Sequence, residues 1–504
     1  MSSPTFPHHR GLLMLSITLM VTVYFLDSLS IALANRYVSG GLGADQRSYV
    51  YATAAYSVAV IFFTAPHQWF VQHLGYRHLM MAATVVHTIG QLLCLAGDHL
   101  WVFATGRVFM GAAAATFFAG ARVLVLMFFP GPQTPTGIRA FASGVPLGAA
   151  MASFCTAQLL AHEEWRGIFA VPLVVCLVMA VCIWMAIPSR VIPEKLSARP
   201  ALLPMAILLV GSIIVETTIQ RMSFDFYSDT WELLGLFLLG ICLMAVFIFC
   251  ERQRERPTLD FRNAINPAFL LGMLFMMLNY FMLGAYNYVI PQYVLNALQV
   301  PIYTAGTVMA IGWLCGIVPL MAITSGTLKR YFPWGGFKKF LVLGYSLLAG
   351  YGFWMSSQNG EVPLVQQLQP ALMMHGVFLI STFAVIIMYT FMTIPPRYFS
   401  QAYQIKNMTQ QIVMPLGIVM ANVFLQWRDA FHANVLRSHI TSFNPLYQQY
   451  REQLNEAMGH ASMSQMASLI NRQAAILGFL DYFYLIGWVG VILAIYMLLQ
   501  RHFR

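Results

Sequence analysis

Runs of about twenty apolar residues recur along nearly the whole of this chain, separated by short polar breaks. A helix needs about 20 residues to cross the hydrocarbon core of a bilayer. Lipid offers the backbone no hydrogen-bond partners, so such runs must close their own bonds as helices. Composition points the same way. With 59% hydrophobic and 9% charged residues, 504 residues carry too little polar surface to clothe a soluble globule, and the mean hydropathy is +0.67. The expected fold is an all-α membrane protein. The first apolar run is too long for a signal-peptide core and lacks a small-residue cleavage site, so it reads as a first span.

The runs place spans at about 11–34, 49–70, 79–96, 101–128, 137–161, 166–187, 201–220, 230–250, 267–290, 302–325, 338–357, 368–394, 403–426 and 477–500, fourteen in all. An even number puts both termini on one side. Breaks after even-numbered spans carry Arg77, Arg190, Lys195, Arg199, Arg252, Arg254, Arg256, Arg262, Lys329, Arg330, Lys338, Lys339, Arg397 and Lys406, whereas the short breaks on the other side hold only Arg36, Arg47, Arg166 and Arg221. The positive-inside rule then makes both ends cytoplasmic. It also accounts for the net charge of +10 without nucleic acid, since no basic patch interleaved with aromatics occurs. Seven cysteines lie in or beside apolar runs with no metal-ligand spacing, and read as packing residues.

Two segments break the rhythm. The linker ERQRERPTLDFRNAINP reads as a solvated loop between eight front spans and six rear ones. Residues 427–476 read as a small helical cap on the non-cytoplasmic face, because NPLYQQYREQLNEAM and MSQMASLINRQAAI have helical apolar spacing. The loops QWFVQHLGYRHL and GTLKRYF are both short and basic and lie eight spans apart. If spans seven and eight are inserted, the other twelve divide into two six-helix repeats, the logic of secondary transporters.

An ionisable group at the bilayer centre costs from about 2.5 to more than 10 kcal/mol, which marks it for function. Asp27 lies in the outer half of span one and Arg107 reaches a similar depth in span four, so the two can pair if both face one cavity. Asp27 could then change protonation state, whereas a guanidinium stays charged. Arg122 lies roughly 22 Å further along span four, and either snorkels to the interface or attracts anionic cargo. Glu216 and Asp481 read as interfacial, and His87 and His375 as core histidines open to a proton relay. Span nine sets Asn279, Tyr280, Tyr286, Asn287 and Tyr288 among apolar residues, which suits a cavity for large, flat, partly polar molecules.

Three stretches resemble the major facilitator superfamily, in particular its fourteen-span EmrB/QacA-type drug:proton antiporters. FLDSLSIALA resembles the first-span signature with its acidic residue, here Asp27. GRVFMGAAAA resembles the fourth-span motif, at Arg107 and Gly111. The segment from SFNP to NRQAAILGFLDYFYL is similar to the EmrB-type terminal region at Asn444, Pro445, Arg472, Gln473, Ala474, Asp481 and Phe483. The loop after span two departs from the family pattern, with Gln72 where an acid is usual. In span five, Gly144, Pro146 and Gly148 fall earlier than the antiporter motif, and Arg122 replaces a neutral residue.

The resemblance implies a major facilitator fold with an N-terminal six-helix bundle at 1–190, two inserted helices and linkers at 191–265, and a C-terminal bundle at 266–504 carrying the 427–476 insertion. It implies a proton-coupled exporter of amphipathic organic compounds in a bacterial inner membrane, and the departure from the family pattern at Arg122 favours anionic ones. No cofactor is expected, the proton gradient being the energy source. Asp27 and Arg107 are the proton-coupling candidates. Arg122, Tyr24, Asn279, Tyr280, Tyr286, Asn287 and His375 are the cargo candidates, and Gly75, Arg77, Gly326 and Arg330 the gating-loop candidates. Similarity to EmrB implies a periplasmic adaptor and a TolC-like outer-membrane channel as partners, docking near Asn444, Pro445, Arg472 and Gln473. Rival readings are a transporter of one organic acid or siderophore-like metabolite and an integral-membrane acyl transferase. The second lacks any nucleophile or paired acid beside its histidines.

Overall fold

The apolar runs fold into helices as their backbone chemistry requires, and no strand occurs among the described residues. The computed structural model describes residues 10–189, 197–325, 336–359, 362–441, 443–458 and 462–500. The helices are α1 (Arg10–Gly41), α2 (Gln46–Thr64), α3 (His67–Ala96), α4 (Leu100–Phe128), α5 (Thr134–Ala161), α6 (Gly167–Ala186), α7 (Leu202–Asp225), α8 (Thr230–Gln253), α9 (Pro267–Gln292), α10 (Ile302–Leu314), α11 (Ile317–Thr324), α12 (Lys338–Ser356), α13 (Gln369–Met392), α14 (Phe399–Ser438), α15 (Pro445–Met458) and α16 (Ser462–Leu499).

Twelve of the described helical segments are long and apolar enough to cross a membrane. α2 and α12, both 19 residues, are less apolar. Each is packed among neighbours, α2 against α4 and α7, and α12 against α13 and α16.

One packing scheme is used twice. In the front bundle α1 packs on α4 and α5, α2 on α4, and α3 on α4 and α6. In the rear bundle α9 packs on α13 and α14, α10 on α13, and α12 on α13 and α16. Small residues allow the closest crossings, as is usual where lipid supplies no hydrophobic drive. A Cβ at Gly148 would lie 2.5 Å from the Thr22 carbonyl oxygen on α1, and one at Gly284 would lie 2.1 Å from that of Met414 on α14.

The bundles meet along two seams, α2 against α14 and α5 against α10 and α11. α7 lies over the first, touching α2 and α14, and α8 packs on α7. At one end of that seam Arg47 pairs with Asp225 at 2.9 Å, and Asn422 and Gln426 of α14 both donate to the Ser223 carbonyl of α7.

Prolines and one glycine shape the spans. Pro319 has no N–H to offer the Cys315 carbonyl, and the expected span 302–325 divides there into α10 and α11. Gly75 breaks α3 at φ +77°, a left-handed conformation that disfavours a side chain. The linker after α8 is not a plain solvated loop. Glu251, buried in the last turn of α8, holds it by bonding Arg254 and accepting from the backbone N–H groups of Thr258 and Leu259.

Candidate functional site

The expected Asp27–Arg107 ion pair is not formed. Asp27 Oδ2 instead meets His87 Nε2 of α3 at 2.5 Å, with both side chains fully buried. The second ring nitrogen lies 3.5 Å from Cys176 Sγ of α6, and Asp27 Oδ1 has no partner. α1 contacts α4 and α6, and α3 contacts the same two helices, so the carboxylate lies between elements that also bring up His87. Sequence spacing could not rank His87 above Arg107 as its partner, because the choice is made by helix rotation. Arg107 turns to the Tyr56 ring, 4.3 Å from its centroid, and leaves Nε and one terminal nitrogen unpaired.

Arg107 borders a cleft of about 1060 Å³, open solvent included, between the two bundles. Tyr24, Ser28, Asn287, Gln220 and Gln411 share its wall. The run of the chain puts this cleft in the half of the membrane expected to face outward. Tyr24 is held by Gln411 Nε2 at 2.5 Å and Gln410 Nε2 at 3.2 Å, both from α14.

A second cavity, about 620 Å³ with open solvent included, lies in the opposite half and is walled by both bundles. Its lining is nearly all apolar, including Phe25, Phe118, Phe141, Tyr280 and Phe383, with Arg122 as the charged member. Arg122 does not snorkel to the interface. It is buried, its carbon 5.1 Å from the Phe399 ring centroid across the seam, with one terminal nitrogen unpartnered.

Lys406 corrects a sequence expectation. Read as a loop cation, it lies within α14 and is fully buried, because that helix starts at Phe399 and Lys406 already lies about two turns into it. Glu216 is likewise buried rather than interfacial, with neither carboxylate oxygen partnered. Helical phase could have flagged both. Lys406 and Gln410 are four residues apart, as are Glu216 and the cleft-lining Gln220.

The span-nine residues divide. Tyr280 faces the inner cavity and Asn287 the outer cleft. Tyr286 stacks on His375 at 3.6 Å and borders a smaller cavity that also touches Asn287. Asn279 and His375 do not line these cavities. Asn279 accepts a bond from the Tyr345 hydroxyl of α12 at 3.3 Å, joining two rear helices, and His375 is buried against Tyr286 and Tyr351.

Of the gating-loop candidates, Arg77 stacks on Trp184 of α6 at 3.9 Å and so anchors within the front bundle. Gly326 and Arg330 lie outside the described residues. The bundles are joined on that side by uncharged groups, Ser400 donating to Gln68 Oε1 at 2.7 Å and Gln404 Nε2 lying 3.3 Å from His67 Nδ1. Gln72, standing where the family pattern has an acid, is buried with its amide nitrogen unpartnered.

The expected cap is mostly an outward continuation of α14 and α16. Asp481 ties the two, bonded by Arg428 at 2.5 Å and His432 at 2.6 Å. Arg472 donates to the Ala297 carbonyl at 2.9 Å and so braces the π-helical segment Tyr293–Ala297 that continues α9. Gln473 and Pro445 are exposed, and Asn444 donates to the His439 carbonyl.

Two repeated bundles enclosing cavities at their seam define a membrane transporter of the repeat-built class. Residues 14–418 match the family described as Major Facilitator Superfamily, and the chain belongs to that family. It is therefore a multi-pass transporter rather than an enzyme. It is 22% identical over 410 residues to the "Putative multidrug resistance protein MdtD" of Salmonella typhi, covering 80% of this chain and 84% of that one, and to its counterpart in Salmonella typhimurium to the same extent. Among solved structures, a POT family transporter in complex with a thioalcohol-conjugated peptide superposes with a TM-score of 0.60 at 12% identity, covering 98% of this chain and 99% of that one. The human organic anion transporter MFSD10 superposes at 0.54 and 12%, covering 96% and 100%.

Proposed function

We propose that this protein is a proton-coupled exporter of amphipathic organic compounds, preferring anions, in a bacterial inner membrane with both termini cytoplasmic. One observation carries the reading: an unpaired guanidinium, Arg122, borders an aromatic cavity built jointly by the two bundles. Such a cavity suits a flat apolar body with a single acidic group, since a guanidinium binds carboxylates well where water is excluded. The name of the Salmonella relatives, putative multidrug resistance protein, supports export of drug-like compounds.

Asp27 is the proton-coupling carboxylate. His87, rather than Arg107, is the group that shares its proton, and Arg107 supplies positive potential at the outer cleft. The chain divides into bundles at 1–190 and 266–504 with two inserted helices between them, fourteen spans in all. A periplasmic adaptor and a TolC-like channel would complete the export path. The deciding assay is flux in proteoliposomes under an imposed pH gradient, with a panel of acidic and cationic amphiphiles. Gradient-driven movement of acidic members, stronger than of cationic ones, is expected, and indifference to the gradient would overturn the coupling. Movement of one acid alone would favour the narrower reading of a dedicated metabolite transporter.

A further inference from the structure

Arg122 is not alone. Lys406 approaches the same cavity from the other bundle, and it too lacks an acid. Its ammonium donates to Gln410 Oε1 at 2.6 Å and Asn407 Oδ1 at 3.0 Å, both neutral amides. Three rings surround it, Phe118 at 4.1 Å and Tyr280 and Tyr403 each at 4.9 Å. Phe118 and Tyr280 are also walls of the Arg122 cavity. Phe118 and Arg122 are one turn apart on the same face of α4. No carboxylate among the described residues lies within 4 Å of either cation.

We propose that Lys406 is the rear bundle's anion-binding group, and that an aromatic organic anion is held between Arg122 and Lys406, tying the two bundles together around it. The proposal rests on the reading of this cavity as the cargo site and adds its second contact and substrate class.

Two like charges buried beside one apolar cavity are costly unless something negative joins them. Amides and ring faces hold Lys406 in the meantime, because both stabilise an ammonium without neutralising it. Arg122 retains a free N–H donor for a carboxylate or sulfonate oxygen. The rings between the two cations fit a planar aromatic body. Gln410, which accepts from Lys406, also donates to Tyr24 at the outer cleft. An anion drawing Lys406 away from Gln410 would thus be felt at Tyr24, on the wall of the outer cleft.

The test is equilibrium binding of 2-naphthoate and its neutral isostere 2-naphthamide to the purified full chain in nanodiscs. The wild type should bind naphthoate the more tightly. Arg122→Gln and Lys406→Gln should each weaken naphthoate at least about tenfold and leave naphthamide within about twofold, with Lys406→Arg restoring naphthoate. Lys406→Met, which removes the charge but keeps an apolar stem, should repeat the Lys406→Gln result and secures the comparison should the amide disturb folding. Naphthoate lost in Arg122→Gln but kept in Lys406→Gln and Lys406→Met would overturn the role of Lys406 alone. Equal weakening of both probes by the Lys406 variants would reduce it to packing and overturn the proposal. A wild type with no preference for naphthoate would overturn the anionic-cargo reading together with it.

Discussion

The Asp27 carboxylate and the His87 imidazole meet at 2.5 Å with neither exposed to solvent. Such a pair has no net charge whether its shared proton lies on the ring as an ion pair or on the carboxyl as a neutral one. Gaining or losing one further proton leaves a full charge in a medium that tolerates it poorly. That step would carry enough energy to favour a different arrangement of the helices around it, which is what coupling requires.

Replacing Asp27 with Asn should therefore abolish proton-driven flux while leaving the fold intact, because the amide can still bond His87. His87→Ala is the harsher change, since it leaves a carboxylate buried without its partner, at a cost of roughly 3–5 kcal/mol. Thermal unfolding of the two variants in detergent should put His87→Ala well below Asp27→Asn. Gradient-driven accumulation surviving in Asp27→Asn would remove Asp27 from the coupling step.

The apolar runs made the helices legible, because lipid permits few alternatives, and the two basic loops eight spans apart made the two-bundle plan legible. Arg122 was marked by its depth and Asp27 by its burial. What the sequence hid was rotation: whether Arg107 or His87 faces Asp27 depends on how α3 and α4 turn, and a change of one residue moves a side chain by about 100° on a helix of 3.6 residues per turn. Lys406 was hidden differently. A cation three residues into a span looks like a loop residue until the true start of α14, at Phe399, is known.

For Arg122, neutral replacement should separate cargo by charge. Arg122→Gln should weaken transport of acidic amphiphiles by about tenfold or more, the worth of a charge-assisted bond in a dry site. Cationic amphiphiles of the same size should move as well or better. Competition assays in proteoliposomes would read the ratio, and equal effects on both charges would return the residue to a structural role.

Close helix crossings give a stability prediction. A Cβ at Gly148 meets the Thr22 carbonyl at 2.5 Å, and one at Gly284 meets the Met414 carbonyl at 2.1 Å. Both obstacles are backbone, which cannot rotate away, so each Gly→Ala change must push α5 off α1 or α14 off α9. Overpacking of this kind costs typically 1–3 kcal/mol, and Gly284→Ala should be the worse. Gly120→Ala is the control, since its new methyl would meet only the end of the flexible Met80 side chain. Fluorescence-detected melting should rank Gly120→Ala most stable, then Gly148→Ala, then Gly284→Ala.

The outward extensions of α14 and α16 set the terms for testing adaptor docking. Removing all of 427–476 would delete Arg428, which holds Asp481, and Arg472, which braces Ala297, so a loss of binding could reflect a damaged bundle. Removing 440–460 and joining the ends with a short Gly/Ser linker spares both anchors and takes away Asn444 and the whole of α15, Pro445 included. Co-purification with a periplasmic adaptor should be lost in this shorter deletion, while the protein remains monodisperse and still moves cargo in proteoliposomes. Gln473→Ala in the intact chain should weaken the same association without affecting flux, since that side chain is exposed and outside both cavities. Undiminished co-purification in the deletion would place any adaptor contact elsewhere on the outer face.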